Sequence, residues 1–494
     1  MNPTLPKKEQ LAYLVALGGQ VTLYYISGLL AYYFQFTLLL PPMVVSVILT
    51  ANRVFDAMKD PFMGSLMDRT RTRWGKARPY LIYAPVPAAL FTILCFLNGI
   101  YDPSQGVGAA GNLRIILWAV AAFFLWGLAY TAGDIPLHSL PTLMTADKQE
   151  RTQLISLKTL SAVFGSMFGF ILQPLALWAG AFFHGETPQH SERLGFIVVV
   201  IPITLISAAM FQLAGIIPRE RVEISQRVYT IRENLRLMWR NRPFRALLLS
   251  GIFSSPRYVE GVVWLPLFSY YYANKDPVKI LIYTILLSTG AYAGKLLAVK
   301  LMPALTKKYE KTQIFIFCNR VMVLPYMAVF ALYLAFPTRM AEPLFVALAA
   351  IALTVAGTLG TVLGILLPLM TADAVDYEEH TNAVRPDGVF AAGQTIIAKL
   401  NGGIATLIGG IIYALVGFTG ERVEALNAFI DGGGIARENQ EFTPYMVTLF
   451  ALFTIPAIVG ALLANIPMRN YPLTDTDHDR ILEELNAARA RSES

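Results

Sequence analysis

Asp56 and Asp60 stand four residues apart in the run ANRVFDAMKDPFMG, an otherwise greasy stretch that also carries Arg53 and Lys59. On a helix that spacing puts both carboxylates on one face. An ionised side chain at the centre of a bilayer costs about 2.5–3.5 kcal/mol even on lenient insertion scales. The pair is therefore expected to face protein or water. Neighbouring carboxylates repel, and either a bound cation or a proton on one of them relieves the repulsion. The chemistry this favours is ion handling. The purely structural alternative is two salt bridges, Asp56 to Arg53 and Asp60 to Lys59 or a lysine elsewhere.

Other polar groups break apolar runs in the same way. Asp134 lies in LWGLAYTAGDIPLHSL, with Tyr130 one turn before it and His138 one turn after, so the three share a face. A carboxylate accepts paired hydrogen bonds from vicinal hydroxyls, and an aromatic face packs on the apolar side of a sugar ring, so this trio suits a polyol or sugar. Lys158 and Lys399 are the candidate counter-charges, Lys399 in QTIIAKLNGG among small residues that allow close helix approach. Arg257 and Glu260 form an i,i+3 pair, read as a structural bridge. TADAVDYEEH places Asp373 and Asp376 where basic inner loops, including Arg69, Arg73 and Arg78, could pair with them and latch a cytoplasmic gate.

The elements that must hold these groups are membrane helices. Of the 494 residues, 55% are hydrophobic and 15% charged, where soluble domains carry about 25% charged residues. A pI near 9.2 raises the question of nucleic acid. The basic residues instead fall in short loops between apolar runs, which is how membrane topology is written, so a nucleic-acid partner is not expected. Cys95 and Cys318 lie in apolar stretches and imply no disulfide framework. The first ten residues contain Lys7 and Lys8 and no small-residue cleavage site, so the first apolar run reads as a retained helix. Walker A, HExxH and nucleophile-elbow patterns are missing from the sequence, and its five histidines show no metal-ligand spacing. An enzyme and a bound cofactor are not expected.

About 20 apolar residues cross a bilayer. Twelve runs qualify, at approximately 11–36, 41–67, 79–99, 112–140, 155–182 and 194–217, then 243–272, 279–303, 312–336, 342–376, 388–417 and 442–467. With the N-terminus in the cytoplasm, inner segments hold roughly 25 Lys and Arg and outer segments roughly seven. Both termini are then expected to be cytoplasmic. Residues 218–242 form the one long internal polar connection, dividing a six-helix half (1–217) from a second (243–467), with a tail at 468–494. Such an all-α integral membrane plan, twelve transmembrane helices in two halves around a midplane cavity, is the major facilitator fold. Similarity between the halves is faint, with GSLMDRTRTRWGKARP only loosely echoed by GKLLAVKLMPALTKKYEK. The tail offers a short amphipathic helix through Ile481, Leu482 and Leu485, the plainer reading being a solvated tail.

FDAMKDPFMG with DRTRTRWGKARP, then LWGLAYTAGDIPLHSL, then TADAVDYEEH with QTIIAKL, resemble the glycoside–pentoside–hexuronide:cation symporters of the melibiose-permease type over nearly the whole chain. The resemblance implies that Asp56 and Asp60 are cation-site carboxylates and that Thr131 adds a hydroxyl. It implies that Asp134, with Tyr130 beside it, binds sugar, and that Lys399 lies between the two sites. Lys158 falls near a position where relatives carry arginine. Two departures stand out. Gln20 occupies the place of a second sugar-contacting Asp, and Lys59 the place of an Asn between the carboxylates. A tethered ammonium takes over the electrostatic role of Na⁺, favouring H⁺ as the coupling ion over Na⁺ at Asp56 and Asp60. Losing one carboxylate while gaining a positive charge makes an anionic sugar more tolerable.

The reading that results is a cation-coupled secondary transporter of a glycoside, oligosaccharide or hexuronide, monomeric and placed in a bacterial cytoplasmic membrane. The competing readings are a lysolipid or other non-sugar transporter of the same fold and a non-transporting membrane sugar sensor.

Overall fold

The computed structural model describes residues 5–145, 150, 154, 161, 171–185, 187–221, 231–382 and 387–493. Lys158 and most of the expected span 155–182 lie outside them. Among the described residues the regular structure is helical, apart from one isolated bridge between Thr72 and Gly75.

In chain order the principal helices are α1 (Lys7–Thr37), α2 (Pro42–Arg69), α3 (Arg78–Phe96), α4 (Ala110–Met144), α5 (Ile171–Gly180) and α6 (Pro188–Ile216). They continue as α7 (Arg242–Phe253), α8 (Pro277–Lys308), α9 (Lys311–Ala335), α10 (Pro343–Asn382), α11 (Asp387–Leu415), α12 (Thr443–Met468) and α13 (Asp475–Glu493). Proline opens several of them, among them Pro42, Pro188, Pro277 and Pro343, because its missing N–H falls where a helix has no internal acceptor for it. Asn241 caps α7 by accepting from the Phe244 amide at 2.8 Å.

Nine helices among the described residues are long and apolar enough to cross a membrane. The other three expected spans differ for identifiable reasons. The second forms a helix as expected, but Arg53, Asp56, Lys59 and Asp60 interrupt its apolar character. The fifth is described only as α5. The seventh is broken: after α7 comes a 3₁₀ turn (Ser255–Val259), a short helix (Glu260–Pro266) and a π-helical turn (Leu267–Tyr272).

The described chain forms two compact units. One comprises residues 1–228, 275–281 and 410–435, the other 229–274, 282–409 and 436–494. In the first unit α1 packs on α6, while α4 packs on α2 and α3. α1 ends in a π-helical turn (Tyr33–Thr37), in which the Leu38 amide donates to the Tyr33 carbonyl at 2.9 Å. In the second unit α12 runs against α7 and α9, and α13 lies against α10. There the Ala273 amide donates to the Phe268 carbonyl at 3.0 Å, closing the other π turn.

The loop before α3 shows how a charged segment is fixed. Glu220 accepts from the amides of Lys76, Ala77 and Arg78 at 2.9, 2.9 and 3.0 Å, supplying acceptors for the open N–H groups of that helix start. Gly75 beside it has φ of +107°, and a Cβ there would sit 2.3 Å from the Glu220 carboxyl carbon. Glycine is required at that turn both for its backbone and for its lack of bulk.

Candidate functional site

Within the first unit, α1, α2 and α4 bring the chemistry-bearing residues together. α1 contributes Gln20 and Tyr24, one turn apart. The Gln20 amide nitrogen donates to Asp134 Oδ1 at 2.7 Å and also to the Tyr130 hydroxyl. His138 Nε2 lies 3.4 Å from the same Asp134 oxygen. The face expected to hold Tyr130, Asp134 and His138 thus forms on α4, and Gln20 meets it from α1. Gln20 and Tyr130 are buried, at 5% and 8% exposure, whereas the Asp134 side chain keeps 18%.

Trp126, one turn before Tyr130, was not singled out in the sequence. Its indole stacks on the Tyr130 ring at 5.0 Å and 21°, and on Phe123 at 5.4 Å and 6°. Its Nε1 is buried without a hydrogen-bond partner in the structure, and so is Gln20 Oε1. A buried donor and a buried acceptor without partners beside one carboxylate are costly. Together with Asp134 they form a set to which a polyhydroxylated molecule can bond. Tyr24 extends the aromatic row, 6.2 Å from Tyr130, with the Arg53 guanidinium over its ring at 5.6 Å.

The second cluster lies between α2 and α4. Lys59 Nζ is 2.5 Å from Asp56 Oδ1, and both side chains are more than nine-tenths buried. The expected structural alternative gave Asp56 to Arg53 and Asp60 to Lys59 or a lysine elsewhere; the structure sets Lys59 against Asp56. Helix geometry allows this contact, since residues i and i+3 are neighbours on one face. Asp60 Oδ1 is approached by the Thr131 hydroxyl at 3.4 Å. Gly127 makes room for the ammonium: a Cβ there would lie 2.7 Å from Lys59 Nζ and 2.8 Å from Asn52 Oδ1. Asn52, one turn before Asp56, is buried and both its amide atoms lack hydrogen-bond partners in the structure. Extending the Asp56 face back by one turn would have found it, as extending the Tyr130 face would have found Trp126.

Other expected residues sit elsewhere. Lys399 is half-buried on α11 in the second unit. The expected Arg257–Glu260 bridge does not form. The Glu260 carboxylate instead accepts from the Tyr326 hydroxyl. Arg69 ends α2 in an exposed position, Arg73 lies over the Trp74 ring at 5.0 Å, and Arg78 donates to the Gly215 and Ile216 carbonyls at 2.9 and 3.2 Å. Asp373 and Asp376 have partners inside their own unit. Lys311 Nζ is 2.6 Å from Asp373, and His478 Nε2 is 3.1 Å from Asp376.

Residues 14–475 match the family described as MFS/sugar transport protein. The isoprimeverose transporter of Lactiplantibacillus pentosus is 26% identical over 78% of this chain and 76% of its own length. The inner membrane symporter YicJ of Escherichia coli is 28% identical over 92% of this chain and 88% of its own. The glucuronide carrier protein homolog of Escherichia coli is 25% identical over 88% and 85%. Among solved structures, a bacterial homolog of the human lysosomal transporter Spinster superposes with a TM-score of 0.60 at 14% identity, covering 98% of this chain and 99% of that one. A D-xylose-proton symporter gives 0.55 at 16% identity, covering 90% and 96%. Those two likenesses establish the major facilitator fold. The chain belongs to the MFS/sugar transport protein family: it is a multi-pass membrane transporter of the glycoside–pentoside–hexuronide:cation symporter kind and not an enzyme.

Proposed function

We propose that the protein is a proton-coupled symporter that carries a glycoside, oligosaccharide or hexuronide across a cytoplasmic membrane by alternating access, with both termini inside. The observation that carries this reading is the bonded group Gln20–Asp134–Tyr130, one to two helical turns along α4 from Gly127, which faces Lys59. Substrate hydroxyls bond to Asp134, Gln20 and the Trp126 indole, and the Trp126–Tyr130 stack packs on the ring face. His138 and Lys399 are assigned to the same substrate, and so is Lys158 from outside the described residues.

The ion cluster favours H⁺ over Na⁺. A metal ion at Asp56 would have to displace an ammonium already 2.5 Å away, so the donor set does not suit Na⁺ while Lys59 is in place. Asp60 is assigned the coupling proton, and Thr131, 3.4 Å away, positions it. Coupling is reciprocal: the proton raises sugar affinity by the factor that sugar raises proton affinity. At the inner face, Arg69, Arg73, Arg78, Asp373 and Asp376 are assigned to gating, the halves being 1–217 and 243–467 about the connection 218–242.

The test is to add neutral and acidic glycosides to de-energised cells expressing the protein while recording external pH and sodium. Alkalinisation on adding one compound supports proton symport of that compound. A sodium-dependent response overturns the ion assignment, and silence across the panel overturns the sugar reading.

A further inference from the structure

Carboxylates inside the expected spans belong mostly to the first half of the chain, which carries Asp56, Asp60 and Asp134. In the second half Glu260 is the one carboxylate away from the span ends, while Arg257, Lys295 and Lys399 lie well inside. A charged side chain at such depth faces protein or a water-filled cavity and marks a substrate or ion path. Lys399 is already assigned to substrate. Arg257 and Lys295 have no assignment, and neither side chain makes an ion pair or a hydrogen bond among the described residues.

Both cations are set against α10. The 3₁₀ turn that carries Arg257 is pinned to α11, the Ser255 hydroxyl donating to Asn401 Oδ1 at 2.6 Å. From that turn the guanidinium reaches α10 at Gly360, where a Cβ would lie 3.0 Å from an Arg257 nitrogen. α8 meets α10 at Gly294, where a Cβ would lie 2.8 Å from the Thr358 amide nitrogen. Thr358 and Gly360 differ by about 3 Å in height along a helix. Arg257 and Lys295, the neighbour of Gly294, therefore approach α10 at nearly one level. Lys295 also stands as far beyond Pro277 as Asp60 stands beyond Pro42, so α8 has a base where α2 has an acid.

The surroundings leave positive charge over. Lys295 is exposed, and its ammonium lies over the Tyr292 ring, 4.4 Å from the centroid. Tyr292 precedes it by three residues, so the side chain runs back toward the start of α8 and away from the nearer end at Lys308. A lysine stretching for the membrane surface would run the other way. Arg257 is half-buried, and the carboxylate three residues on, Glu260, accepts from the Tyr326 hydroxyl. Two cations stand against that one shared carboxylate.

We propose that Arg257 and Lys295 bind the carboxylate of an acidic sugar, so that the protein selects hexuronides over neutral glycosides. The planar guanidinium fork matches a carboxylate with two parallel hydrogen bonds, and the ammonium adds a point charge beside it. This names the substrate class within the sugar-transport reading and rests on that reading.

Isothermal calorimetry on the purified full-length protein reads the selection, with methyl glycosides in matched pairs: glucuronide with glucoside, galacturonide with galactoside, mannuronide with mannoside. In at least one pair the acid should bind about tenfold to a hundredfold more tightly than the neutral sugar, the range that charge-assisted bonds give. Arg257→Gln and Lys295→Gln should each shrink that ratio at least about threefold, and together bring it close to one. Arg257→Lys keeps the charge without the fork and should keep only part of the ratio. Lys295→Gln alters an exposed position, so it reads the site even where Arg257→Gln fails to fold. Equal or tighter binding of the neutral sugar in every pair, or an undiminished ratio in either glutamine variant, overturns the anion site and leaves the sugar reading standing. Binding of no sugar from any pair overturns the sugar reading and the proposal with it.

Discussion

Lys59 sets its ammonium 2.5 Å from Asp56, three residues back on the same helix, with less than a tenth of either side chain exposed. A buried pair of this kind contributes little net stability, but removing one partner costs about 3–5 kcal/mol because it strands a charge. Lys59→Met should therefore lower thermal stability in detergent, and Lys59→Met with Asp56→Leu should recover most of it. Lys59→Asn should give uptake that sodium stimulates, whereas uptake by the unaltered protein should be indifferent to sodium. Sodium titration of radiolabelled uptake checks this, and sodium indifference of the variant counts against the ammonium as a built-in cation.

Asp60→Asn fixes a neutral side chain at the position assigned to the coupling proton. Accumulation against a gradient should disappear while exchange between preloaded vesicles and external substrate survives. Concentrative uptake in the variant would remove Asp60 from coupling.

Gln20→Leu takes from Asp134 a hydrogen bond of 2.7 Å. Bonds to charged groups are worth about 1.5–3 kcal/mol, so substrate affinity should fall roughly tenfold to a hundredfold. Asp134→Ala should abolish binding. Isothermal calorimetry on the purified protein separates the two, and normal affinity in either variant would exclude that residue from the site.

Trp126→Phe keeps the stack on Tyr130 but deletes the buried indole N–H. Affinity should drop about tenfold if the donor bonds to substrate, with thermal stability unchanged or slightly raised, since an unsatisfied donor is gone. A fall in stability at unchanged affinity would make Trp126 a packing residue.

Gly75→Ala forces a side chain onto a backbone at φ +107° and toward Glu220. The expected cost is about 1–3 kcal/mol, seen as a lower midpoint of thermal unfolding. Part of it should vanish in Glu220→Ala, because the collision is with that carboxyl. Additive costs would place the strain in the backbone alone.

Much of this was legible because lipid punishes exceptions. A charge inside an apolar run must be accommodated, so Asp56, Asp60 and Asp134 announced themselves, and Tyr130 and His138 followed from helical spacing. Pairing was less legible. Lys59 has carboxylates at i−3 and i+1, and its contact with Asp56 follows from the direction in which side chains leave a helix. Glu260 found Tyr326, a residue 66 positions away, where the sequence offered Arg257 one turn back. Asn52 and Trp126 went unnoticed because neither carries a charge; what marks them is burial without a partner, which no spacing reveals. The tail reads more plainly as solvated, yet Ile481 is buried, because α13 packs on α10, about a hundred positions earlier.

The π-helical turns at Tyr33–Thr37 and Leu267–Tyr272 repeat one backbone pattern at two places in the chain. Tyr33 and Phe268 supply the carbonyls, Leu38 and Ala273 the amides, Leu39 and Asn274 the left-handed residues that follow at φ 60° and 50°, and Pro42 and Pro277 the starts of the next helices. The separation is the same in every case, though the side chains YFQFT and LFSYYY have little in common. A π turn holds one residue more than an α turn, and deleting it would swing everything beyond by about 100°. Side chains can drift one at a time, whereas an inserted residue is inherited whole or lost at the expense of all that follows it. The backbone of these two segments thus repeats position for position where their side chains do not.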